Sequence, residues 1–423
     1  MICNCYRVFG ERGEKFVARL AHSRAGGGWI AVGVAVIVSA LAACTQTGFN
    51  FGNQPPMFGT PPPVAGPQPV TGEVLGTGTV KVALLLPLSA TGNAGQLGIN
   101  LKNAASLALR ETQTTAIQIL VKDDRGTPEG ARAAASEAVA QGAELILGPL
   151  FAQSVSAAAS VARPSNIPIV AFSTDTSSAA RGVYLLSFLP QTDVDRIIRY
   201  AAAQGKRSYA ALLPANGYGT VVEAALQNAV TRVGGRLMTI ERYSLDKVSM
   251  QSKATAVAAV VKSGTVDAIF MPDAGDAAPF LSQVLAANGV NPAKVKFLGS
   301  GQWDDSRVLQ ESNLNGAWYP APEKTGFDAF AKRYQAAFGT APLRPATLAY
   351  DATSLAAGLA ARFGDQRFSD QTLTNPSGFI GIDGAFRFLA TGMNERGLAI
   401  YQVSRGQAQV IDPAPKSFAR PGA

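Results

Sequence analysis

The apolar residues of this chain fall into two alternating patterns from Thr79 onward. Short runs that are apolar throughout predict strands buried on both faces, and longer stretches with an apolar residue every three or four positions predict amphipathic helices. The predicted strands are TVKVALLLPLS (79–89), IQILVKDD (117–124), LILGPL (145–150), IPIVAFS (167–173), YAALLPA (209–215), RLMTIERYS (236–244), DAIFMPD (267–273) and VKFLGSG (295–301). The helices predicted between them span 95–113, 128–141, 153–163, 192–204, 219–233, 250–263 and 277–288. Alternating strands and helices indicate an α/β fold with parallel sheets covered by helices on both faces.

These strands are too many for one compact sheet, so we expect two doubly wound units that separate near Pro190. Thr192 and Asp195 have the spacing of a capping box, which predicts the first turn of the helix after this break. The pattern changes towards the C-terminus, with longer helices predicted at 323–338 and 346–363 and antiparallel hairpins predicted across 384–412.

The first 43 residues have the zones of a secretion signal. Residues 1–28 carry five basic and two acidic side chains, and residues 29–43 (WIAVGVAVIVSALAA) carry no charge. This apolar run is shorter than the ~20 residues that a membrane-spanning helix needs. The stretch LAAC, which ends at Cys44, resembles the lipobox of bacterial lipoproteins. The resemblance implies a lipoprotein signal peptide over 1–43 and a diacylglyceryl group on Cys44; a signal peptide without lipidation or a stop-transfer segment is the alternative.

Composition narrows the chemistry that the rest of the chain can perform. Part of the net charge of +8 belongs to the signal segment, and no run of Lys or Arg predicts nucleic-acid binding. The histidine His22 and the cysteines Cys3 and Cys5 all precede Cys44, so the chain after Cys44 has neither a histidine nor a further thiol. Ser–His and Cys–His nucleophilic catalysis and the usual zinc ligand sets are therefore excluded. We expect neither an enzyme nor a cofactor or metal site.

The two flanking segments differ from the rest of the chain in composition. Residues 44–78 are rich in Pro and Gly and have no hydrophobic periodicity. Such a segment stays extended, so it predicts a tether that holds the body away from a membrane. The folded body is expected to span 79–412, and residues 413–423 are expected to form a flexible tail.

Four stretches of the body carry a family resemblance. They are VKVALLLPLSATGNAGQLGINLKNAASLAL, ILGPLFAQSVSAAASVARPSNIPIVAFSTD, YAALLPANGYGTVVEAALQNAVTRVGG and VKFLGSGQWDD. In order and spacing they resemble the type I periplasmic binding proteins of the leucine/isoleucine/valine-binding group, and within it the penicillin-binding protein activator lipoproteins. The resemblance implies two α/β lobes with a hinge and an interlobe cleft. It assigns about 79–190 and 318–375 to the first lobe, and about 191–317 and 376–412 to the second.

The resemblance places hydroxyl groups of the first lobe on a ligand carboxylate. Ser154 matches the loop after the third strand, at a helix N-terminus whose N–H groups and dipole favour an anion; an ordinary helix cap is the alternative. Ser173 and Thr174 match the second carboxylate-binding loop. Asp175 would repel a carboxylate, so we expect it to bind an amine or to cap the next turn.

Candidate residues of the second lobe would face that loop. Tyr218 matches an aromatic lid residue, although a surface tyrosine would give the same pattern, and Asp273 ends a strand where it meets the cleft. Amino-acid binders carry an acidic residue for the ligand ammonium at the position of Gly301. Asp304 could replace it if the loop bends inward. Trp303 could stack on a ligand ring, or it could be a core tryptophan.

Two functions fit this resemblance. The first is a lipid-anchored periplasmic solute-binding protein that presents an amino-acid-like or peptide-like ligand to an ABC permease. The second is an activator lipoprotein that binds and stimulates a peptidoglycan synthase. Thr45, which follows Cys44, favours the outer membrane over the inner membrane by the sorting rule of many Gram-negative bacteria.

The lipobox generates a direct prediction. Cys44→Ser should abolish acylation and leave a longer, unprocessed chain, because no other thiol follows the signal segment. Incorporation of labelled palmitate and the mass of the product measure both effects. Labelled palmitate in the mutant protein would contradict the assignment of Cys44.

Overall fold

The computed structural model describes residues 66–418, so the predicted signal peptide, Cys44 and the first part of the tether lie outside the described residues. The strands of the first sheet are β1 (Val74–Leu75), β2 (Val80–Leu86), β3 (Ile117–Asp123), β4 (Leu145–Leu147), β5 (Ile169–Ala171) and β6 (Val183–Leu185). Their order across the sheet is β1-β3-β2-β4-β5-β6. All neighbours pair in parallel except β1, which runs antiparallel to β3.

Helices cover both faces of this sheet. On one face lie α1 (Asn93–Thr112), α9 (Lys324–Phe338) and α10 (Ala346–Arg362), and on the other lie α2 (Pro128–Ala140) and α3 (Ala152–Ala162). Alternate residues of β2 point to opposite faces, so Leu84 joins the first core and Leu85 joins the second. Both leucines are fully buried, which explains why this strand is apolar throughout.

The second sheet has the order β16-β15-β11-β10-β9-β7-β8 and forms the second lobe. Its strands are β7 (Ser208–Pro214), β8 (Arg236–Tyr243), β9 (Ala268–Phe270), β10 (Lys296–Leu298), β11 (Trp318–Ala321), β15 (Ala399–Ser404) and β16 (Gln407–Asp412). The helices α4 (Pro190–Ala203) and α5 (Gly217–Arg232) cover one face, and α6 (Lys247–Lys262), α7 (Ala277–Ala287) and α8 (Ser306–Gln310) pack on the other. Only β15 and β16 add antiparallel pairs to it.

A small third sheet changes the expected lobe boundaries. After α11 (Asp370–Leu373), it is formed by β12 (Phe379–Gly381), β13 (Gly384–Phe388) and β14 (Asn394–Arg396). Phe386 and Phe388 are buried in a core of the first lobe, so the second lobe resumes after 396 rather than at 376. Because β11 pairs with β10 and β15, the first lobe resumes after 321 rather than at 318.

Two other expectations need correction. The capping box at Thr192 and Asp195 does not form, because α4 begins earlier, with Pro190 in its first turn and no side-chain cap. The predicted tail contacts the body, since the guanidinium carbon of Arg387 lies 4.8 Å from the centre of the Phe418 ring. Between residues 66 and 418 we find no helix with the length and apolar character to cross a membrane.

Part of the predicted tether is ordered on the first lobe. Residues 66–78, which we call the strap, add β1 to the open edge of β3. The buried Nζ of Lys122 donates to the backbone O of Thr71 at 2.8 Å and pairs with Glu137 at 2.6 Å. Near its start, the backbone N of Gln68 donates to the O of Ala140 at 2.8 Å. A Pro/Gly-rich composition did not reveal these contacts, because they depend on an edge strand distant in sequence.

The strap should stabilise the body. A chain that begins at Thr77 should have a free energy of unfolding about 1–4 kcal/mol lower than a chain that begins at Gly66, because the buried Lys122 loses the backbone O of Thr71 and the edge of β3 loses β1. Urea unfolding followed by circular dichroism measures the difference. Glu73→Ala is the matched control: it removes only the partly exposed ion pair with Lys102 and should cost less than about 1 kcal/mol. Equal stability of the two chains would contradict a structural role for the strap.

Candidate functional site

The loops at the carboxyl ends of the parallel strands form the candidate site. Ligands of open α/β sheets bind at this edge. In the first lobe the relevant loops follow β4 and β5, and in the second lobe they follow β7, β9 and β10. A long hydrogen bond of 3.4 Å from the side chain of Gln191, at the start of α4, to that of Thr176, after β5, joins the second lobe to a loop of the first.

Tyr218 is held by the sharp turn between β7 and α5. The side chain of Asn216 caps α5 by accepting from the backbone N of Gly219 at 2.9 Å. Gly219 has to be glycine, because a Cβ there would lie 1.8 Å from the backbone O of Pro214. This turn directs the Tyr218 hydroxyl to the Oγ of Ser300, 3.3 Å away in the loop after β10. The sequence motif NGYG therefore positions a tyrosine at the predicted edge.

Asp273 lies close to Tyr218 and is mostly buried. The hydroxyl of Tyr243 donates to its Oδ2 at 2.9 Å. Burial raises the pKa of the Asp273 carboxyl, and this one hydrogen bond only partly offsets the effect. Asp273 is thus placed at the edge that the sequence predicted for it.

Trp303 packs in the core and contacts the backbone of Asp273. Its side chain is fully buried, and its Nε1 donates to the backbone O of Asp273 at 2.9 Å. A Cβ at Gly299 would lie 2.1 Å from the indole, so a glycine is needed for the ring to pack there. Of the two alternatives for Trp303, the structure therefore favours a core tryptophan. The ring has no exposed face on which a ligand could stack.

Asp193 is a site residue that sequence reasoning missed. It lies in the first turn of α4, and its Oδ2 accepts from the backbone N of Gly301 at 2.9 Å. A Cβ at Gly301 would also lie 2.9 Å from this Oδ2. The carboxylate of Asp193 thus lies beside the position at which amino-acid binders carry their acidic residue. No motif marked it, because α4 and the loop after β10 are more than a hundred residues apart.

Asp304 does not take that place. Its side chain is exposed and forms an ion pair with Lys324, the first residue of α9. The short helical turn at Gly301–Trp303 lies between Ser300, which contacts Tyr218, and Asp304. The structure therefore separates Asp304 from the cluster of Asp193, Tyr218 and Asp273.

The residues expected on the first lobe differ in accessibility. Ser154 is fully buried in the first turn of α3, and its Oγ has no hydrogen-bond partner among the described residues. In this conformation it cannot contact a ligand in the cleft. The Oγ of Ser173 accepts from the backbone N of Asp175, and the Asp175 side chain caps the following turn through the backbone N of Ser177 at 2.9 Å. Thr174 is exposed.

The second-lobe side of the site holds two carboxyl groups, Asp193 and Asp273, whose charged forms are disfavoured by burial. Burial raises the pKa of Asp193 to about 7, and the hydrogen bond from Gly301 offsets this only in part. No cationic side chain among residues 66–418 lowers the pKa of Asp193 or Asp273. Burial, and then the charges of these two carboxylates, raise the pKa of Tyr218 as well. This cluster would be stabilised by a positive charge in the cleft.

A comparison with protein families identifies the scaffold. The model of the periplasmic binding protein family matches residues 79–408. The chain belongs to this family. Its lobes are the two lobes of a type I periplasmic binding protein, as the sequence predicted. A relative among known proteins is the uncharacterized protein RP748 of Rickettsia prowazekii, 24% identical over 164 residues. That match covers 39% of this chain and 43% of the relative, so the chain spans less than half of its length.

Solved structures share the fold at low sequence identity. A branched-chain amino acid ABC transporter periplasmic ligand-binding protein from Burkholderia xenovorans is 17% identical, with a TM-score of 0.62 over 80% of this chain and 96% of that one. An ABC transporter substrate-binding protein from Desulfitobacterium hafniense, in complex with Leu, is 16% identical, with a TM-score of 0.55 over 78% and 99%. A solute-binding protein of an ABC transporter from R. palustris, in complex with benzoate, is 19% identical, with a TM-score of 0.52 over 81% and 98%.

The raised pKa of Asp193 predicts a pH-dependent stability. Because the folded-state pKa is about 7 and the ordinary value is 3.8, the unfolded chain loses this proton first, and the free energy of unfolding should fall as the pH rises from about 4 to 7. Asp193→Asn has no proton to lose here, so its stability should not fall over this range. The free energy of unfolding of the variant minus that of the parent should therefore be about 1–3 kcal/mol larger at pH 8 than at pH 5.

Urea unfolding at both pH values measures this difference, and Asp267→Asn is the control. Burial acts to raise the pKa of Asp267, but hydrogen bonds from the backbone N–H groups of Arg207 and Ser208 and from the Ser208 hydroxyl hold it below its ordinary value. Its variant should differ from the parent by the same amount at both pH values. Parallel pH profiles of Asp193→Asn and the parent would show that Asp193 is an ordinary solvated carboxylate.

Proposed function

We propose that this protein is a lipid-anchored periplasmic solute-binding protein, without catalytic activity, that binds a small amino-acid-like or peptide-like ligand for an ABC-type transporter. The observation that carries the proposal is the carboxylate of Asp193 at the backbone of Gly301. It supplies, from another element, the negative charge that the sequence lacks at position 301. The ligand of this cleft is expected to carry an ammonium group.

The second lobe supports this choice of ligand. A buried ammonium needs a carboxylate partner, since an unpaired charge is costly to bury. The charges of Asp193 and Asp273 both act on Tyr218, and neither carboxyl group is neutralised by a cationic side chain among the described residues. An incoming ammonium would stabilise the charged forms of both carboxyl groups. The aromatic ring of Tyr218 would cover the apolar part of the ligand.

The first lobe would hold the opposite end of the ligand. The exposed hydroxyl of Thr174 lies after β5, next to the buried Ser173. The Thr174 hydroxyl can donate to a carboxylate, and such a charged hydrogen bond is worth about 1.5–3 kcal/mol. Ser173, although proposed as a second donor, is buried in this conformation and would reach the ligand only after the loop rearranges. Asp175 already caps a turn through Ser177, which leaves the Thr174 hydroxyl as the accessible donor for a zwitterion.

The proposed partners and location follow from the family and the N-terminus. The structural relatives named above are ABC transporter binding proteins, which supports an ABC permease as the partner. Periplasmic location is the expectation for the family. Acylation of Cys44 would attach the protein to a bilayer, with the outer membrane favoured by Thr45.

A peptidoglycan synthase is the alternative partner. Ser154 and Trp303 are both fully buried, so two of the expected ligand contacts are absent in this conformation. A protein that kept the two lobes as an interaction body, and no longer bound a solute, would tolerate such losses. In that case the lipid-anchored body would bind and stimulate the synthase, and the cleft would have no ligand.

A melting-temperature screen of the chain from Gly66 tests the proposal. Amino acids, small peptides and muropeptides are compared with matched N-acetylated compounds, which lack the ammonium. A true ligand at about 100 times its dissociation constant should add about 2.7 kcal/mol to the free energy of unfolding. Calorimetry on the best compound should show at least roughly tenfold weaker binding to Asp193→Asn.

Two outcomes would contradict the proposed ligand class. One is tight binding that Asp193→Asn does not change; Asp304→Asn is the control, because that residue pairs with Lys324 and should leave the affinity unaltered. The other is preference for the N-acetylated compounds. If no compound raises the melting temperature but the lipidated protein captures and stimulates a peptidoglycan synthase, the alternative function is correct.

A further inference from the structure

Three crossover segments join the lobes, and each is short. The first lies at 186–189 between β6 and α4, the second at 322–323 between β11 and α9, and the third at 397–398 between β14 and β15. Any rotation of one lobe against the other has to occur within these segments. The side chains that hold them therefore determine where the protein can bend.

Two guanidinium groups lie over one aromatic ring of the first crossover. The Cζ atoms of Arg344 and Arg396 are each 4.7 Å from the centre of the Phe188 ring. Arg344 also lies 4.5 Å from the ring centre of Phe327, in α9 just after the second crossover. Arg396 is the residue before the third crossover. These four residues, which we call the hinge stack, thus connect all three segments.

Acceptors of the first lobe fix both arginines. Arg344 donates to both carboxylate oxygens of the buried Asp383, at 3.1 and 2.5 Å. The Nε of Arg396 donates to the backbone O of Ser187 at 3.0 Å, and Asn394 donates to the same oxygen at 2.8 Å. The start of the first crossover is therefore tied to the end of β14.

Arg396 depends on the aromatic rings to an unusual degree. It is 5% exposed, and its Nη1 and Nη2 have no hydrogen-bond partner among the described residues. A buried charge without full pairing is destabilising, whereas a cation–π contact is strongest when the cation is desolvated. The rings of Phe188 and Phe386, at 4.7 and 5.7 Å, supply that contact. The charges of Asp383 and Asp351 also favour the charged guanidinium, so removal of the Phe188 ring would leave Arg396 with these carboxylates and with one ring contact fewer.

The far ends of the crossovers are held by the second lobe instead. The Nε of Arg196 in α4 donates to the backbone O of Leu398 at 2.8 Å, and the hydroxyl of Tyr401 donates to the backbone O of Pro322 at 3.3 Å. At the third crossover, Arg396 is held by the first lobe and Leu398 is held by the second lobe. Gly397 is the single residue between them.

We propose that the hinge stack couples the first-lobe ends of the three crossovers as one rigid unit and thereby confines rotation in the third crossover to Gly397. Loss of the stack would loosen all three crossovers together, although they are far apart in sequence. Ordinary core packing would instead give only a local effect around the altered side chain. This difference makes the proposal testable without knowledge of the ligand.

Amide hydrogen exchange of the chain from Gly66 distinguishes these two cases. The reporters are the backbone N–H groups of Leu186, bonded to Ala171 at 2.8 Å, and of Gly397, bonded to Ala385 at 2.8 Å. Phe188→Leu keeps the apolar volume but removes the ring, and should raise exchange roughly tenfold at both amides. Phe188→Tyr keeps the ring and should leave both unchanged. Phe363→Leu, at an exposed phenylalanine remote from the stack, is the control.

A second variant covers the case in which Phe188→Leu does not fold. Phe327→Leu removes the ring at the other end of the stack and should also accelerate exchange at Gly397. The proposal is overturned if Phe188→Leu changes exchange at Leu186 alone, or if Phe188→Tyr is as disruptive as Phe188→Leu. Unchanged exchange at Gly397 in Phe327→Leu would overturn it equally.

Discussion

Parallel strand pairing imposes one constraint on which the other features of this protein depend. A connection between two parallel strands, which is usually a helix, has to return the chain across the sheet so that the next strand runs in the same direction. All the carboxyl ends of β2 to β6 therefore lie at one edge of the first sheet, and those of β7 to β11 lie at one edge of the second. Residues that are distant in sequence, such as Tyr218 and Ser300, meet there because the sheet brings their loops together.

Within that edge, two glycines determine how close the neighbouring groups can approach. Gly299 leaves room for the indole of Trp303, and Gly301 leaves room for the carboxylate of Asp193. A side chain at either position would displace its neighbour. The absence of an acidic residue at Gly301 is therefore part of the local packing: the space that it leaves is the space that Asp193 uses.

The fold could be predicted from sequence because its signals are local. An all-apolar run such as β2 and the helical stripe of α1 need no knowledge of the rest of the chain. Asp273 and Tyr218 could be placed because each closely follows a predicted strand. Asp193 could not, since its partner Gly301 lies in another part of the sequence. The burial of Ser154 and the ordered strap have the same explanation, because both depend on packing between distant segments.

The strap also decides which part of the body would bear a mechanical load. The described chain begins beside the C-terminal end of α2, where Gln68 contacts Ala140, at the end of the first lobe opposite the cleft. A pull on Gly66 would be resisted by β1 along β3 and by the hydrogen bond from the Nζ of Lys122 to the backbone O of Thr71. The force would enter the first sheet and would bypass the hinge and the second lobe. If the proposed lipid anchor pulls on the strap, the second lobe remains free to open and close without bearing that load.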